Sequence, residues 1–210
     1  MCQNVAVHAG TAVTFDGVVT RILGGDVGGA TITRVELGLA LKDGSTFIGS
    51  SSFSASVVAA HAAAIAIESD MNFTTTEIGG MTFTPGTHRF DSAINFAFGS
   101  SVTLDGNNEI NPKFLFQAGS TLVTAAETYF ILKNGAKAEN VIWAIGSGVT
   151  LGANSVGEGS IMAGTAITFG TGSELRGCAL ALSAVTFESN GSVVGMGFAE
   201  NGRKTRQLRG

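Results

Sequence analysis

The residues of this 210-residue chain with the strongest intrinsic chemistry are few and scattered. His8, His61 and His88 could move protons near neutral pH, but none stands in a motif with the carboxylate or nucleophile that acid–base catalysis requires. All three read as structural. Asp105 and Glu109 form the nearest acidic pair within one loop, yet Asp105-Gly-Asn-Asn108 is turn chemistry. Gly24-Gly-Asp-Val-Gly28 lacks the Lys-Ser/Thr of a phosphate loop and any strand-to-helix context. Cys2 and Cys178 are the only cysteines. They are too few for a disulfide framework and have no metal-ligand spacing; a Cys2–Cys178 bridge is allowed but not expected. Asn72-Phe-Thr and Asn190-Gly-Ser match the glycosylation triplet, which matters only on a eukaryotic secretory route. The reading is therefore of no catalytic residue, no metal ligand and no cofactor.

What does recur with regular spacing is threonine. Val149-Thr-Leu151, Ile167-Thr-Phe169 and Val185-Thr-Phe187 repeat one apolar-Thr-apolar pattern at steps of 18 residues. Each is followed by a second run, around Val156, Leu175 and Val193. Each is preceded by a third, at Val141–Ile145, Ile161–Ala163 and Ala179–Ala181. Three short strands per repeat with glycine-rich corners predict a triangular parallel solenoid, because a hairpin meander would lack the fixed period. Val102-Thr-Leu104 and Leu122-Val-Thr124 read as earlier coils spaced by 20 residues, and Val13-Thr-Phe15 as another near the start. The 27-residue step from Leu122 to Val149 then requires an insertion.

Strand alternation points Val149, Leu151, Ile167, Phe169, Val185 and Phe187 inward and the threonines outward. Two adjoining outward files result: Ser101, Thr121, Gly148, Ala166 and Ala184 in one, Thr103, Val123, Thr150, Thr168 and Thr186 in the other. Neither carries a charge. Methyls and hydroxyls on a lattice of strands about 4.8 Å apart can hold ordered water. The second strand file, with Glu174 and Arg176 flanking Leu175, is of another kind. One segment breaks the strand pattern: positions 57, 60, 64, 67 and 71 follow helical spacing, predicting a helix over about 54–70. Its Val/Ala/Ile stripe is expected to lie on Ile142, Met162 and Leu180.

The composition sets bounds. Charged residues make up 13% of the chain, against about 25% in an ordinary globular protein. With a mean hydropathy of +0.33 and a net charge of -4, disorder is not expected. The length suits one domain, over 1–200, followed by a basic tail at 201–210. That tail holds Arg203, Lys204, Arg206 and Arg209, and no other basic footprint points to nucleic acid. The longest apolar run, Val57 to Ile67, falls short of the roughly 18 residues of a membrane span.

Several stretches together resemble a known family, the microbial and algal ice-binding proteins: Gly79–Phe90 (GGMTFTPGTHRF), Val102–Gly106 (VTLDG), Phe114–Thr121 (FLFQAGST), Leu132–Val141 (LKNGAKAENV) and Val149–Ser155 (VTLGANS). The resemblance covers roughly residues 5–194; the tail from Asn201 has no counterpart. It implies an irregular, right-handed parallel β-solenoid with one α-helix alongside, adsorption to ice through a flat uncharged face, thermal hysteresis, inhibition of recrystallisation and secretion. No basic start with an apolar stretch opens the chain, so a leader is expected to have been removed. The partners implied are the ice surface and its ordered water, with no cofactor, no nucleic acid and no membrane, for a monomer. Two rival readings are a structural or adhesive solenoid module and a carbohydrate-active β-helix enzyme. The enzyme would need an acidic or Arg/Lys cluster in a groove.

Overall fold

The computed structural model describes residues 5–16, 19–34, 40–42, 47–48 and 51–195; Cys2 and the tail 201–210 lie outside them. Alternating burial along each short strand, with Val149 and Leu151 buried on either side of exposed Thr150 and Ile167 and Phe169 on either side of half-buried Thr168, dictates a core on one side of every strand. Among the described residues the strands pair only in parallel, in one sheet wound into coils. Each coil contributes one strand to each of three faces. Val149, Ile167 and Val185 are successive rungs of one inward ladder, as the 18-residue period predicts.

The coils differ in size. Gly86, Phe114 and Val141 are register partners 28 and 27 residues apart, whereas Ile142, Ser160 and Cys178 lie 18 and 18 apart. Loops 106–113 and 134–140 account for the excess. In the small coils the chain instead runs straight through the same corner, as strands Val156–Ala163 and Glu174–Ala181. Gly159 makes that possible: its φ is 103° and a Cβ there would sit 2.6 Å from the Val141 carbonyl oxygen. The opposite corner repeats a left-handed residue in successive coils, at Gly99, Glu127, Asn154, Gly172 and Asn190. The next residue often carries a hydroxyl, and Ser100 and Thr128 donate theirs to the carbonyls of Ala97 and Ala125 at 2.7 and 3.3 Å. This turn fixes where each threonine-bearing strand stops.

Coil order does not follow chain order. Strand Val5–Phe15 pairs on one side with Glu174–Ala181 and Ala184–Phe187, and on the other with Asp26–Arg34. The N-terminal coils are therefore stacked on the last C-terminal coil. The chain moves outward from that junction and returns through the helix Ser51–Ala66 to the far end. From there it winds back, from Met71–Phe73 to Ser192–Val194. The core is rich in rings: Trp143 stacks on Phe116 at 4.1 Å and 11°, and its Nε1 donates to the Glu158 carbonyl at 2.9 Å.

The helix covers the face built by Ile142, Met162 and Leu180, the predicted partner surface. Its contact stripe differs from the expected one. Val57 and Ala64 are buried, with Phe53, Ala60 and Ile65 packed beside them, but Ile67 is 49% exposed and lies past the last turn. The helix is Ser51–Ala66, not 54–70. It ends because the buried Gln117 donates its Nε2 to the carbonyls of Ala64 and Ile67, both at 2.8 Å, supplying partners that a helix end lacks. Cys178, buried under the same seat, is disulfide-bonded, against the expectation from cysteine count alone. All three histidines sit in the scaffold. His8 Nε2 meets Ser54 Oγ at 3.0 Å, while His61 and His88 donate to the carbonyls of Ile145 and Thr84 at 2.9 Å.

Candidate functional site: an uncharged threonine face

The face opposite in character to the charged one is built by strands Ile94–Phe96, Leu122–Thr124, Val149–Leu151, Ile167–Phe169 and Ala184–Phe187. Inward residues Ile94, Leu122, Val149, Ile167 and Val185 are all at most 2% exposed, so the residues between them must face out. Val123 pairs with Thr150, Thr150 with Thr168 and Thr168 with Thr186. The Val123, Thr150, Thr168 and Thr186 file is thus a true column at rung spacing, about 4.8 Å per step. Backbone bonds from Leu122 to Gly148 and from Val149 to Ala166 align Thr121, Gly148 and Ala166 in a second column beside it, and Ala184 holds the matching place before Val185. Further out, Ser120, Ser147, Thr165 and Ser183 form a corner rank by the same backbone pattern. The column of Thr121, Gly148, Ala166 and Ala184 thus lies between this corner rank and the threonine file.

Ser101 and Thr103 do not belong to this face. Strand Ser101–Asp105 pairs with Tyr129–Lys133 and Thr82–Phe83, which puts Ser101 beside Tyr129 and Thr103 beside Ile131 and Thr82. The apolar-Thr-apolar pattern of Val102-Thr-Leu104 arises on any strand with a buried inner side. In that coil the strand on the threonine face is Ile94-Asn-Phe96, so the outward residue is Asn95. The 20-residue step is accordingly no coil repeat. Sequence reasoning missed Asn95, and placed Thr14 in a coil without placing it on this face. Thr14 pairs with Thr186 and Thr33 with Thr14. Their signal was the Val13-Thr-Phe15 pattern and the alternation of Thr31-Ile-Thr33.

Neither column carries charge from Thr121 to Thr186. Gly148 is small without steric need: an added Cβ would meet nothing nearer than Thr165 Oγ1 at 3.4 Å. Glu188 marks the border, its Oε2 accepting from the Thr171 amide and hydroxyl at 3.0 and 3.1 Å. The contrasting face concentrates ions. Arg176 bonds Glu174 at 2.8 Å and the buried Glu158 at 3.1 Å. Burial pushes the Glu158 carboxyl up to about 7, Arg176 opposing the rise and Glu174 adding to it. Among the described residues no group of three or more His, Cys, Asp or Glu is placed to hold a metal. No helix there is long and apolar enough to cross a membrane. What the threonine face offers chemically is an array of methyls and hydroxyls without charges, fit to order water rather than to transform a solute.

A parallel β-solenoid, one helix along its side and one uncharged threonine-lined face define the structural class. Residues 7–193 match the sequence profile of the family described as Ice-binding-like, and the chain belongs to that family. The crystal structure of an ice-binding protein from an Antarctic ascomycete, Antarctomyces psychrotrophicus, superposes with a TM-score of 0.84 at 33% identity, covering 94% of this chain and 97% of the other. That of an ice-binding protein from an Antarctic biological consortium gives 0.82 at 31% identity, covering 92% and 88%. An ice-binding protein of Nostoc sp. (strain HG1) is 40% identical over 87 residues, 41% of this chain. That match spans 31% of the relative's length.

Proposed function

We propose that this protein adsorbs to ice through the threonine face and thereby gives thermal hysteresis and inhibits recrystallisation. The contacting residues are Thr121, Val123, Gly148, Thr150, Ala166, Thr168, Ala184 and Thr186. The observation that carries the reading is the in-register column of Thr150, Thr168 and Thr186 on a face without charges. Water held between regularly spaced methyls and hydroxyls takes positions set by the strand lattice, so it can merge with the outer layer of a crystal. Charged side chains would hold water in their own hydration geometry instead. The protein is not an enzyme and uses no cofactor; its partner is the ice surface, and it acts as a monomer. It works outside the cell, a compartment in which the disulfide at Cys178 persists.

The test is the shape and freezing point of a single ice crystal below its melting point in the presence of the protein and its variants. Thr168→Tyr and Thr186→Tyr raise a phenol from the column and are expected to lower hysteresis while shifting stability by no more than about 0.5 kcal/mol, as for surface sites. Arg176→Tyr, on the charged face, is expected to leave it unchanged. Equal loss in all three folded variants would assign the activity to another face.

A further inference from the structure

The threonine column does not stop where the C-terminal coils run out. At the junction of the chain's two halves, Ala12 pairs with Ala184 and Thr14 with Thr186; one rung further, Thr31 pairs with Ala12 and Thr33 with Thr14. We propose that the ice-contacting surface crosses this junction, with Thr14 and Thr33 in its threonine column and Ala12 and Thr31 in the adjoining one. This rests on the reading that the threonine face meets ice.

Three observations carry it. First, the scaffold is as continuous here as within the covalently linked coils. Phe15 stacks on Phe187 at 5.3 Å and 14°, and Phe187 on Phe169 at 4.4 Å and 15°, so the inward ring column runs through without a break. An unbroken inner column holds the outer one in line. Second, the corner is pinned: the Thr11 amide and hydroxyl both donate to the Ser183 carbonyl, at 2.8 and 3.0 Å. Third, the column gains regularity toward the junction and loses it in the other direction. Thr150, Thr168, Thr186, Thr14 and Thr33 are five successive threonines. At the opposite end Val123 is followed by Asn95, and Asn95 by Glu77, a charge. A surface restricted to the C-terminal coils would be cut off beside its most regular stretch. Asp16 does not interrupt it. Its amide bonds the Phe187 carbonyl at 2.9 Å, which aligns it with Glu188 on the border.

The experiment compares Thr14→Tyr and Thr33→Tyr with Thr168→Tyr and Arg176→Tyr in the full chain, reading thermal hysteresis and the melting curve of each. Thr14→Tyr and Thr33→Tyr are expected to lose the same fraction of hysteresis as Thr168→Tyr. Wild-type hysteresis in both, with loss in Thr168→Tyr, would end the surface at the junction and overturn the inference while sparing the face. Wild-type hysteresis in all three threonine variants would overturn both. Should Thr14→Tyr fail to fold, the more exposed Thr33 decides.

Discussion

Glu158 is the side chain whose environment most contradicts its chemistry. Its side chain is 6% exposed and tied to Arg176, yet burial outweighs the ion pair and raises its pKa from 4.5 to about 7. The folded chain thus binds this proton more tightly than the unfolded one. The stability gained is fully present below about pH 4.5 and lost as pH rises through 7. His8 and His88 act in the opposite sense. Burial lowers both, so their contribution fades as pH falls below the ordinary imidazole value. Glu158→Gln, which leaves the 2.8 Å Arg176–Glu174 pair in place, is expected to stabilise the protein at about pH 8 by roughly 1–3 kcal/mol and to do little at about pH 5. Urea titrations at the two pH values check this; destabilisation at pH 8 would mean that the pair with Arg176 outweighs the cost of burial. Gly148→Ala tests a different point. Its backbone suits a side chain, so the substitution is expected to add about 0.4–1 kcal/mol by restricting the unfolded chain. The structural roles of the histidines were legible from their lack of companions. The burial of Glu158 was not, since the flanking Gly157 and Gly159 mark only a glycine-rich corner. Segment Ala138–Asn140 packs against the strand that carries it, from the preceding coil.

Among the elements, the helix shows what periodicity can and cannot tell. Its existence and its seat on Ile142, Met162 and Leu180 followed from the spacing of apolar residues. Its end did not, because no glycine or proline stops it; Gln117, 53 residues along the chain from Ala64, does. Gln117→Leu is expected to cost about 1–3 kcal/mol by leaving helix carbonyls without partners, and to speed amide exchange in the last helical turn. Met162→Ala, at a fully buried site under the helix, is expected to cost about 2–5 kcal/mol. Ile67→Ala, at a half-exposed site, should stay within about 0.5 kcal/mol. Thermal or chemical melts separate these cases, and a large loss at Ile67 would restore the longer stripe. The strands carry the complementary lesson. The 18-residue repeat was readable because its coils turn their corners without loops. The larger coils were not, because loops 106–113 and 134–140 shift the phase of the pattern and leave Val102-Thr-Leu104 looking like its neighbour on another face.

For the whole molecule, the solenoid and its uncharged face were visible in composition and repeat, but the order of the coils was not. Parallel pairing needs no local turn, so nothing in residues 5–34 announces that they will lie against residues 174–187. The disulfide at Cys178 belongs to the same buried layer as Val5 and Leu180, beside this junction. Reducing it is expected to lower unfolding stability by about 2–4 kcal/mol, read by melting with and without a thiol reductant. An unchanged melt with proven reduction would show the bridge to be dispensable. The junction also governs how the chain can acquire its shape. A solenoid whose coils follow chain order can grow from the ribosome one rung at a time, each new coil adding to a finished edge. Here the first coils made wait with an open strand edge until partners such as Ser183, 172 residues after Thr11, have been synthesised. Closing so long a span carries a high entropic cost before any contact rewards it. The last step of biogenesis is then also the one that joins the two parts of the threonine column.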